Sequence, residues 1–166
     1  MTDHAMRYLR KLARPLHSDQ RGTSTIELAI VLPVLFTIGL GMFEFGYLIY
    51  NYHLINVGVR DAARYAAGLP AGSADADAKS IAMKGVRTGG TFRISWWNNP
   101  NTVVITNPSV PNTLISGVKS YRGGDNIFMV KVVADVPYQA LGFLGYLGLG
   151  SITLHAQHEE RLYGVR

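Results

Sequence analysis

The longest feature of the hydropathy pattern is an apolar run near the N-terminus. From Leu28 to Tyr50 the chain has a single charged residue, Glu44, in about 23 positions. With a rise of about 1.5 Å per residue, a helix of this length extends roughly 34 Å, enough to cross a hydrocarbon core of ~30 Å. Secretory signal peptides are the alternative, but their apolar regions are shorter and end at a small-residue cleavage site. The run therefore predicts one membrane-spanning helix.

Helical periodicity continues beyond the apolar run. Apolar residues recur there at spacings of three to five: Leu54, Val57, Ala62 and Tyr65. Gly68 and Pro70 then end the pattern, as they commonly end helices. These features predict one helix of about 40 residues, half in lipid and half outside it. A second, short helix is predicted from Asp75 to Val86.

Further along the chain the hydrophobic period changes to two, which is typical of β-strands. The predicted strands are Thr91 to Trp97, Asn101 to Thr106, Asn126 to Val136 and Ser151 to Glu160. Their pattern indicates a small antiparallel sheet with one apolar face, and the amphipathic end of the long helix is its natural cover. The predicted fold class is α+β, with a long transmembrane-plus-extramembrane helix packed on a small sheet.

The positive charge is concentrated before the apolar run. Residues 1–22 contribute +3 of the net charge of +5, and no Lys or Arg follows until Arg60. The positive-inside rule therefore predicts a cytoplasmic N-terminus and an outward C-terminal part. Aromatic residues gather at the far end of the run, as at an outer membrane interface: Phe43, Phe45, Tyr47, Tyr50 and Tyr52. No basic cluster follows Gly22, so nucleic acid is not an expected partner.

Two carboxylates flank or interrupt the apolar run. Glu27 lies at its entrance, where an ionised group is costly unless it is paired, so it is a candidate functional residue. The alternative is a helix-start glutamate favoured by the helix dipole. Glu44 lies about one and a half turns from the outer end. It is either a hydrated interfacial carboxylate or a contact to a neighbouring helix.

Three residues inside the run are candidates for helix packing. Pro33 lacks an N–H group and is expected to kink the helix or to let a neighbour approach. Gly39 and Gly41 provide small surfaces against which another helix can pack closely.

The junction between the basic leader and the apolar helix reads Arg21-Gly-Thr-Ser-Thr-Ile-Glu27. A glycine, four residues and a glutamate at this place resemble the processing site of type IV prepilins. The segment "ELAIVLPVLFTIGLGMFEFG", with "VRDAARYAA" after it, resembles the TadE family of pseudopilins, minor pilin-like proteins of the tight-adherence (Flp) type IV pilus. The resemblance covers residues 21–67 and, more weakly, 136–157.

This resemblance implies cleavage between Gly22 and Thr23 by a membrane aspartyl prepilin peptidase. Many type IV pilins have phenylalanine at the first mature position, where this chain has Thr23. The implied role is Flp pilus biogenesis and surface attachment. Implied partners are the peptidase, other pseudopilins and major pilin subunits, the inner-membrane assembly platform and lipid. The implied location is the bacterial inner membrane, with a periplasmic head, or the pilus itself.

A cleaved N-terminus gives Glu27 a specific partner. Glu27 lies about 6 Å along the helix from Thr23, so a neighbouring subunit shifted by about one turn can present its free amine to the carboxylate. Such a pair at low dielectric sets the register between helices more than it adds stability.

Other polar groups do not form a recognisable catalytic or metal site. The chain has no cysteine, which excludes disulfides and thiolate chemistry. Asp75, Asp77 and Asp125 lack the spacing of a calcium loop and are interpreted as turn carboxylates. His155 and His158 are expected on opposite faces of one strand. Neither enzymatic activity nor a cofactor or metal is expected.

Two apolar features have no assigned partner in the sequence. Trp96 and Trp97 are adjacent, and adjacent residues of a strand face opposite sides. If one lies in the core, the other lies at the surface or under a loop. A tryptophan at the surface is a candidate interface residue. The glycine-rich stretch Ala140 to Gly150 either caps the core or docks on a partner or the membrane.

The predicted organisation is therefore a leader over residues 1–22, a transmembrane helix over 23–53 and an extracytoplasmic α+β domain over 54–166. The alternative function is an unprocessed single-pass envelope protein whose outward head binds a ligand or another protein.

Overall fold

The computed structural model describes residues 22–73, 75–115, 117–121, 124–149 and 151–163. Helix α1 runs over Thr23–Ala67 and ends directly before Gly68, which confirms the single long helix. The chain divides into two compact units inside this helix, the first ending at Phe43 and the second beginning at Glu44. The predicted leader comprises residues 1–22. Only Gly22 of this leader is among the described residues.

The described part of the first unit, residues 22–43, is helical and exposes its apolar side chains. By length and composition, α1 is a candidate membrane span, and none of its most apolar 18-residue window is buried. Pro33 lies inside the helix, and its carbonyl accepts a hydrogen bond from Thr37 Oγ1 at 2.8 Å. Because the proline lacks an N–H group, the carbonyl of Ala29 loses its usual helical donor.

The second unit combines the end of α1 with two short helices and six strands. Helix α2 is Asp75–Lys84 and helix α3 is Phe143–Tyr146. A 3₁₀ turn, Pro100–Thr102, precedes the first strand. The strands are β1 Val103–Thr106, β2 Ser109–Pro111, β3 Leu114–Ile115, β4 Val118–Lys119, β5 Asn126–Pro137 and β6 Thr153–Arg161.

Strand β5 organises the main sheet, which is antiparallel throughout. Strand β6 pairs with it from Met129↔Arg161 to Pro137↔Thr153. Strands β1 and β2 pair with different stretches of β5, with Val103 opposite Ala134 and Ser109 opposite Phe128. Strands β3 and β4 form a separate hairpin.

The core lies between one face of this sheet and the last part of α1. Alternate residues of β5 point into it: Val130, Val132, Ala134 and Val136. Ile55 and Val59 of α1 and Met83 of α2 lie in the same buried cluster. The α+β fold, with the helix covering an apolar sheet face, is confirmed.

Small residues let α1 and α2 approach closely. A Cβ built on Gly58 would lie far inside van der Waals contact with the carbonyl oxygen of Ala82. Ala62 and Ala66 continue the small stripe along the same side of α1, and both are buried. The spacing of four residues brings all three to one helix face.

The predicted strand Thr91 to Trp97 is wrong. This segment has no strand pairing, and Trp97 donates its backbone N–H to the carbonyl of Ile94, at 3.0 Å, in a tight turn. Ile94 and Trp97, three residues apart, therefore both face the core, whereas a strand would have placed them on opposite faces. The backbone N–H of Arg93 donates a hydrogen bond to the backbone carbonyl of Met83, near the end of α2, and this bond holds the segment in place.

Candidate functional site

The predicted processing site lies at the very start of α1. Gly22 immediately precedes the first helical residue, Thr23, and both are exposed. Glu27 is one turn further along and is also exposed. Among the described residues, no side chain or backbone group donates a hydrogen bond to its carboxylate. Cleavage and pairing at these residues stay predictions, but the groups they require are accessible.

Glu44 has the opposite environment, because it is buried and fully bonded within its own chain. Its side chain is 2% exposed. Oε1 accepts hydrogen bonds from the Tyr138 hydroxyl at 2.8 Å and from the backbone N–H of Leu141 at 3.0 Å. Oε2 accepts one from the backbone N–H of Phe143 at 3.3 Å. A buried carboxylate is tolerated when such donors replace the water it has lost.

The segment that binds Glu44 is shaped by Gly142. Its φ of 124° is a conformation that residues with a side chain rarely adopt. This backbone turn directs two nearby N–H groups, of Leu141 and Phe143, at one carboxylate and begins helix α3. We call Glu44, Tyr138, Leu141 and Phe143 the carboxylate clasp.

Aromatic rings surround the clasp on its Tyr138 side. The Tyr138 ring lies 6.1 Å from that of Tyr47 and meets that of Trp96 edge-on at 6.0 Å. Trp96 Nε1 donates to the Tyr47 hydroxyl at 3.3 Å. Burial, and then the hydrogen bond to Glu44, raise the pKa of Tyr138 above its usual value. The tyrosine therefore stays a neutral donor at physiological pH.

Of the two alternatives for Glu44, a hydrated interfacial carboxylate or a contact to a neighbouring helix, the first is wrong because the residue is 2% exposed. The sequence interpretation assumed that the side chain faced water or a neighbouring helix, but the chain folds its own segment 138–143 onto it. Folding satisfies the charge with two backbone donors and one hydroxyl, so neither water nor a second helix is needed there.

The two tryptophans are not equivalent. Trp97 is 1% exposed, and its Nε1 donates to Thr102 Oγ1 at 2.9 Å, so it is a core side chain. Trp96 is half-buried against Tyr47 and Tyr138 and keeps some exposed surface. The partner role predicted for this pair thus has support only at Trp96.

The helix-packing candidates of the first unit remain accessible. A Cβ at Gly39 would meet no atom within 4 Å beyond its own helix. Gly41 is half-buried and Pro33 is exposed. Their role against a neighbouring helix stays a prediction.

Two of the remaining polar candidates, Asp75 and Asp77, lie in a helix, and Asp77 has partners within the chain. Asp75 and Asp77 lie in the first turn of α2, so their assignment to a turn is wrong. Asp77 accepts hydrogen bonds from Tyr65 at 3.0 Å and from Arg87 at 2.9 Å. Burial, and then the bond to Asp77, raise the pKa of Tyr65.

Asp125 and the two histidines likewise have partners. Lys119 bonds Asp125 at 2.8 Å and lowers the pKa of that carboxyl group. His155 pairs with Asp135 at 2.6 Å on the outer face of β6, whereas His158 lies on the inner face beside Glu160. In the described part of the chain, no three His, Asp or Glu side chains are grouped as a metal site requires.

The structure therefore brings together two predicted residues, Glu44 and Trp96, through one that the sequence analysis missed, Tyr138. A signal for Tyr138 was present, since residues 136–154 contain no charge and Tyr138 follows the end of a strand. A buried tyrosine there needs a hydrogen-bond partner, and Glu44 was the unpaired acid in the apolar run.

A long apolar helix that continues into a small α+β head defines the general class, a head domain carried on one candidate membrane helix. The family model for TadE-like proteins matches residues 22–64, from the predicted cleavage glycine into the buried half of α1. Over this segment the chain is similar to TadE-like proteins, in agreement with the resemblance seen in the sequence. The match does not reach residues 136–157. Searches of curated proteins and of solved structures returned no match.

Proposed function

We propose that the chain is a pseudopilin, a minor pilin-like subunit that takes part in the biogenesis of the tight-adherence pilus and in surface attachment. The observation that carries this proposal is the TadE-like match, which begins at Gly22 and covers the candidate membrane span. The proposal adds to that match a processing step, a membrane topology and a way of pairing subunits.

The processing step is cleavage by a prepilin peptidase between Gly22 and Thr23. Exposure of both residues at the first turn of α1 supports access by a membrane peptidase. Cleavage removes the basic leader and leaves the α-amine of Thr23 as the first group of the mature helix.

Residues 23–43 are long enough to anchor the mature protein in the inner membrane. They extend about 31 Å as a helix, which matches a hydrocarbon core of ~30 Å. Their large apolar side chains are exposed, as those of a lipid-facing helix are: Ile26, Leu28, Ile30, Phe36 and Met42 among others. The basic leader directs the N-terminus to the cytoplasm, so the head is periplasmic.

Pairing between subunits uses Glu27. The carboxylate is exposed and has no donor among the described residues, so it is available to the Thr23 amine of a neighbouring subunit. In lipid an unpaired charge is costly, which makes the paired register the favoured one. Gly39 and Gly41 allow the neighbouring helix to pack closely. The proposed partners are other pseudopilins, major pilin subunits and the assembly platform.

The test is pilus output from a strain whose own copy is replaced by Glu27→Ala. We expect the variant to be synthesised and cleaved, but surface pili to fall by at least about tenfold, because the register between neighbouring helices is lost. Thr25→Ala is the matched control, because Thr25 is exposed on the same turn and carries no charge. Normal pilus output from Glu27→Ala, at a normal protein level, would refute the pairing.

A further inference from the structure

The stretch from Gln139 to Leu149, here called the apolar loop, exposes large apolar side chains from the second unit. Leu141 is 64% exposed and Tyr146 is 84% exposed, and Leu147 and Leu149 are each about half exposed. No charged residue occurs between Asp135 and His155. An exposed apolar patch without charges marks a surface that is covered in the functional state.

The carboxylate clasp fixes where this loop lies. Its N–H groups at Leu141 and Phe143 bond Glu44, which is the first residue of the second unit and directly follows the exposed apolar stretch of α1. Phe45, Ile49 and Tyr50 on the neighbouring turns of the helix are also exposed. Within the second unit, the loop is therefore held at the turn of α1 that carries Glu44, close in sequence to these exposed apolar residues.

The backbone of the loop also suits an apolar environment. The N–H groups of Tyr146, Leu147, Gly148 and Leu149 bond carbonyls of the loop itself, at 3.0 to 3.1 Å. Those of Leu141 and Phe143 bond Glu44. A segment that enters the membrane interface must satisfy its backbone groups internally, because lipid offers few partners.

We infer that the apolar loop is a second membrane contact, which lies in the headgroup–acyl boundary of the leaflet where α1 leaves the lipid. Leu141, Leu147 and Leu149 contact acyl chains, and the amphipathic ring of Tyr146 lies at headgroup level. Lipid is favoured over a protein partner because the loop bonds Glu44 of α1, a candidate membrane span, near the exposed apolar residues Phe45, Ile49 and Tyr50 of that helix. The head would then be fixed to the membrane at two points and not by a single helix.

The absence of native cysteine makes this inference testable in the full chain, since one introduced cysteine can carry one label. Leu147→Cys and Leu149→Cys report on the loop. Each is labelled with the environment-sensitive fluorophore NBD, in protein reconstituted into phosphatidylcholine–phosphatidylglycerol vesicles. Quenching by nitroxide-labelled lipid is compared with quenching by aqueous iodide.

Two further positions calibrate the measurement. Phe36→Cys labels the middle of the exposed apolar helix. Val110→Cys labels β2, which pairs with the start of β5, whereas the clasp follows the other end of that strand. We expect blue-shifted emission and dominant lipid quenching at both loop positions and at Phe36, and dominant iodide quenching at Val110.

The outcomes separate this inference from the proposed membrane anchor on which it rests. Loop labels that behave like Val110, while Phe36 is quenched by lipid, would overturn the loop contact and leave the span standing. A Phe36 label quenched mainly by iodide would overturn both. Loop labels shielded only after other pseudopilins are added would replace lipid with a protein partner and also overturn the inference.

Discussion

The two halves of helix α1 each contain one glutamate, and the environments of these two carboxylates are opposite. In residues 22–43, Glu27 is exposed and has no donor among the described residues. In residues 44–67, Glu44 is buried and accepts three hydrogen bonds from its own chain. One acid is therefore satisfied by folding, whereas the other is left for an external partner. In an apolar helix, the unsatisfied charge is the one that points to assembly.

The exposed surface of the first half and the buried face of the second half are both largely apolar. The first half exposes large side chains such as Phe36 and Met42, whereas the buried face of the second half is mostly small. Gly58, Ala62 and Ala66 are suited to close contact with another element of the head. The size of the residues on the helix face, more than their hydropathy, indicates which half packs into a protein core.

The largest loss of stability is expected from a substitution at Gly58, in the half of α1 that packs into the head. Gly58→Ala places a Cβ against the Ala82 carbonyl, and because backbone is the obstacle, α1 and α2 must separate. We expect a loss of about 3 kcal/mol in the free energy of unfolding. Denaturant unfolding of the full chain in detergent, followed by tryptophan fluorescence, measures it.

The matched control for this change is Gly46→Ala, on the same helix. A Cβ at Gly46 meets nothing within 4 Å, and alanine is the better helix former. This variant should be unchanged or up to about 1 kcal/mol more stable. Equal destabilisation by both alanines would mean that the close approach of α1 and α2 is not what Gly58 provides.

Replacing each acid by its amide contrasts the two carboxylates directly. Glu44→Gln replaces one acceptor oxygen with an NH₂ donor, so at least one donor of the clasp, such as the backbone N–H of Phe143, loses its acceptor, and we expect a loss of about 2 kcal/mol. Glu27→Gln should not change the unfolding curve, since no described residue depends on that carboxylate. Similar unfolding curves for both variants would contradict the clasp.

A smaller, pH-dependent effect is expected at Tyr138. Tyr138→Phe removes one of three donors to Glu44 and should cost about 1 kcal/mol at neutral pH. Because the folded pKa of Tyr138 is raised, its contribution is full below the unfolded pKa of about 10 and is lost as pH rises above it. The stability difference between wild type and variant should therefore shrink above pH 10. A constant difference would argue against the buried, neutral hydroxyl.

Much of the fold follows from residue pattern, because helix and strand periodicity are local. The end of α1, the position of α2 and the two long strands β5 and β6 were predicted within a few residues. The segment 91–97 was not, because a turn at Ile94 overrides its apparent alternation. The short strands β2 to β4 have too few residues to show a period.

The residues of the candidate site also differ in how far the sequence alone predicts them. The predicted processing motif is contiguous in sequence, so Gly22, Thr23 and Glu27 show their resemblance to a prepilin site from their place between the basic leader and the apolar helix. The clasp joins residues 94 to 99 positions apart, and its key donors are backbone N–H groups that no residue type reveals. Glu44 could be recognised as unusual from its position, but its partner required the fold.

The contrast between Glu27 and Glu44 is tested most directly by determining which residue forms the N-terminus of the protein in its membrane. Glu27 is left unsatisfied by its own fold because, in our proposal, cleavage creates its partner. Intact-mass analysis of the protein extracted from cell envelopes should give a chain that begins at Thr23. Recovery of the chain with Met1 to Gly22 still attached would remove the amine that Glu27 requires, and would contradict assignment as a processed pseudopilin.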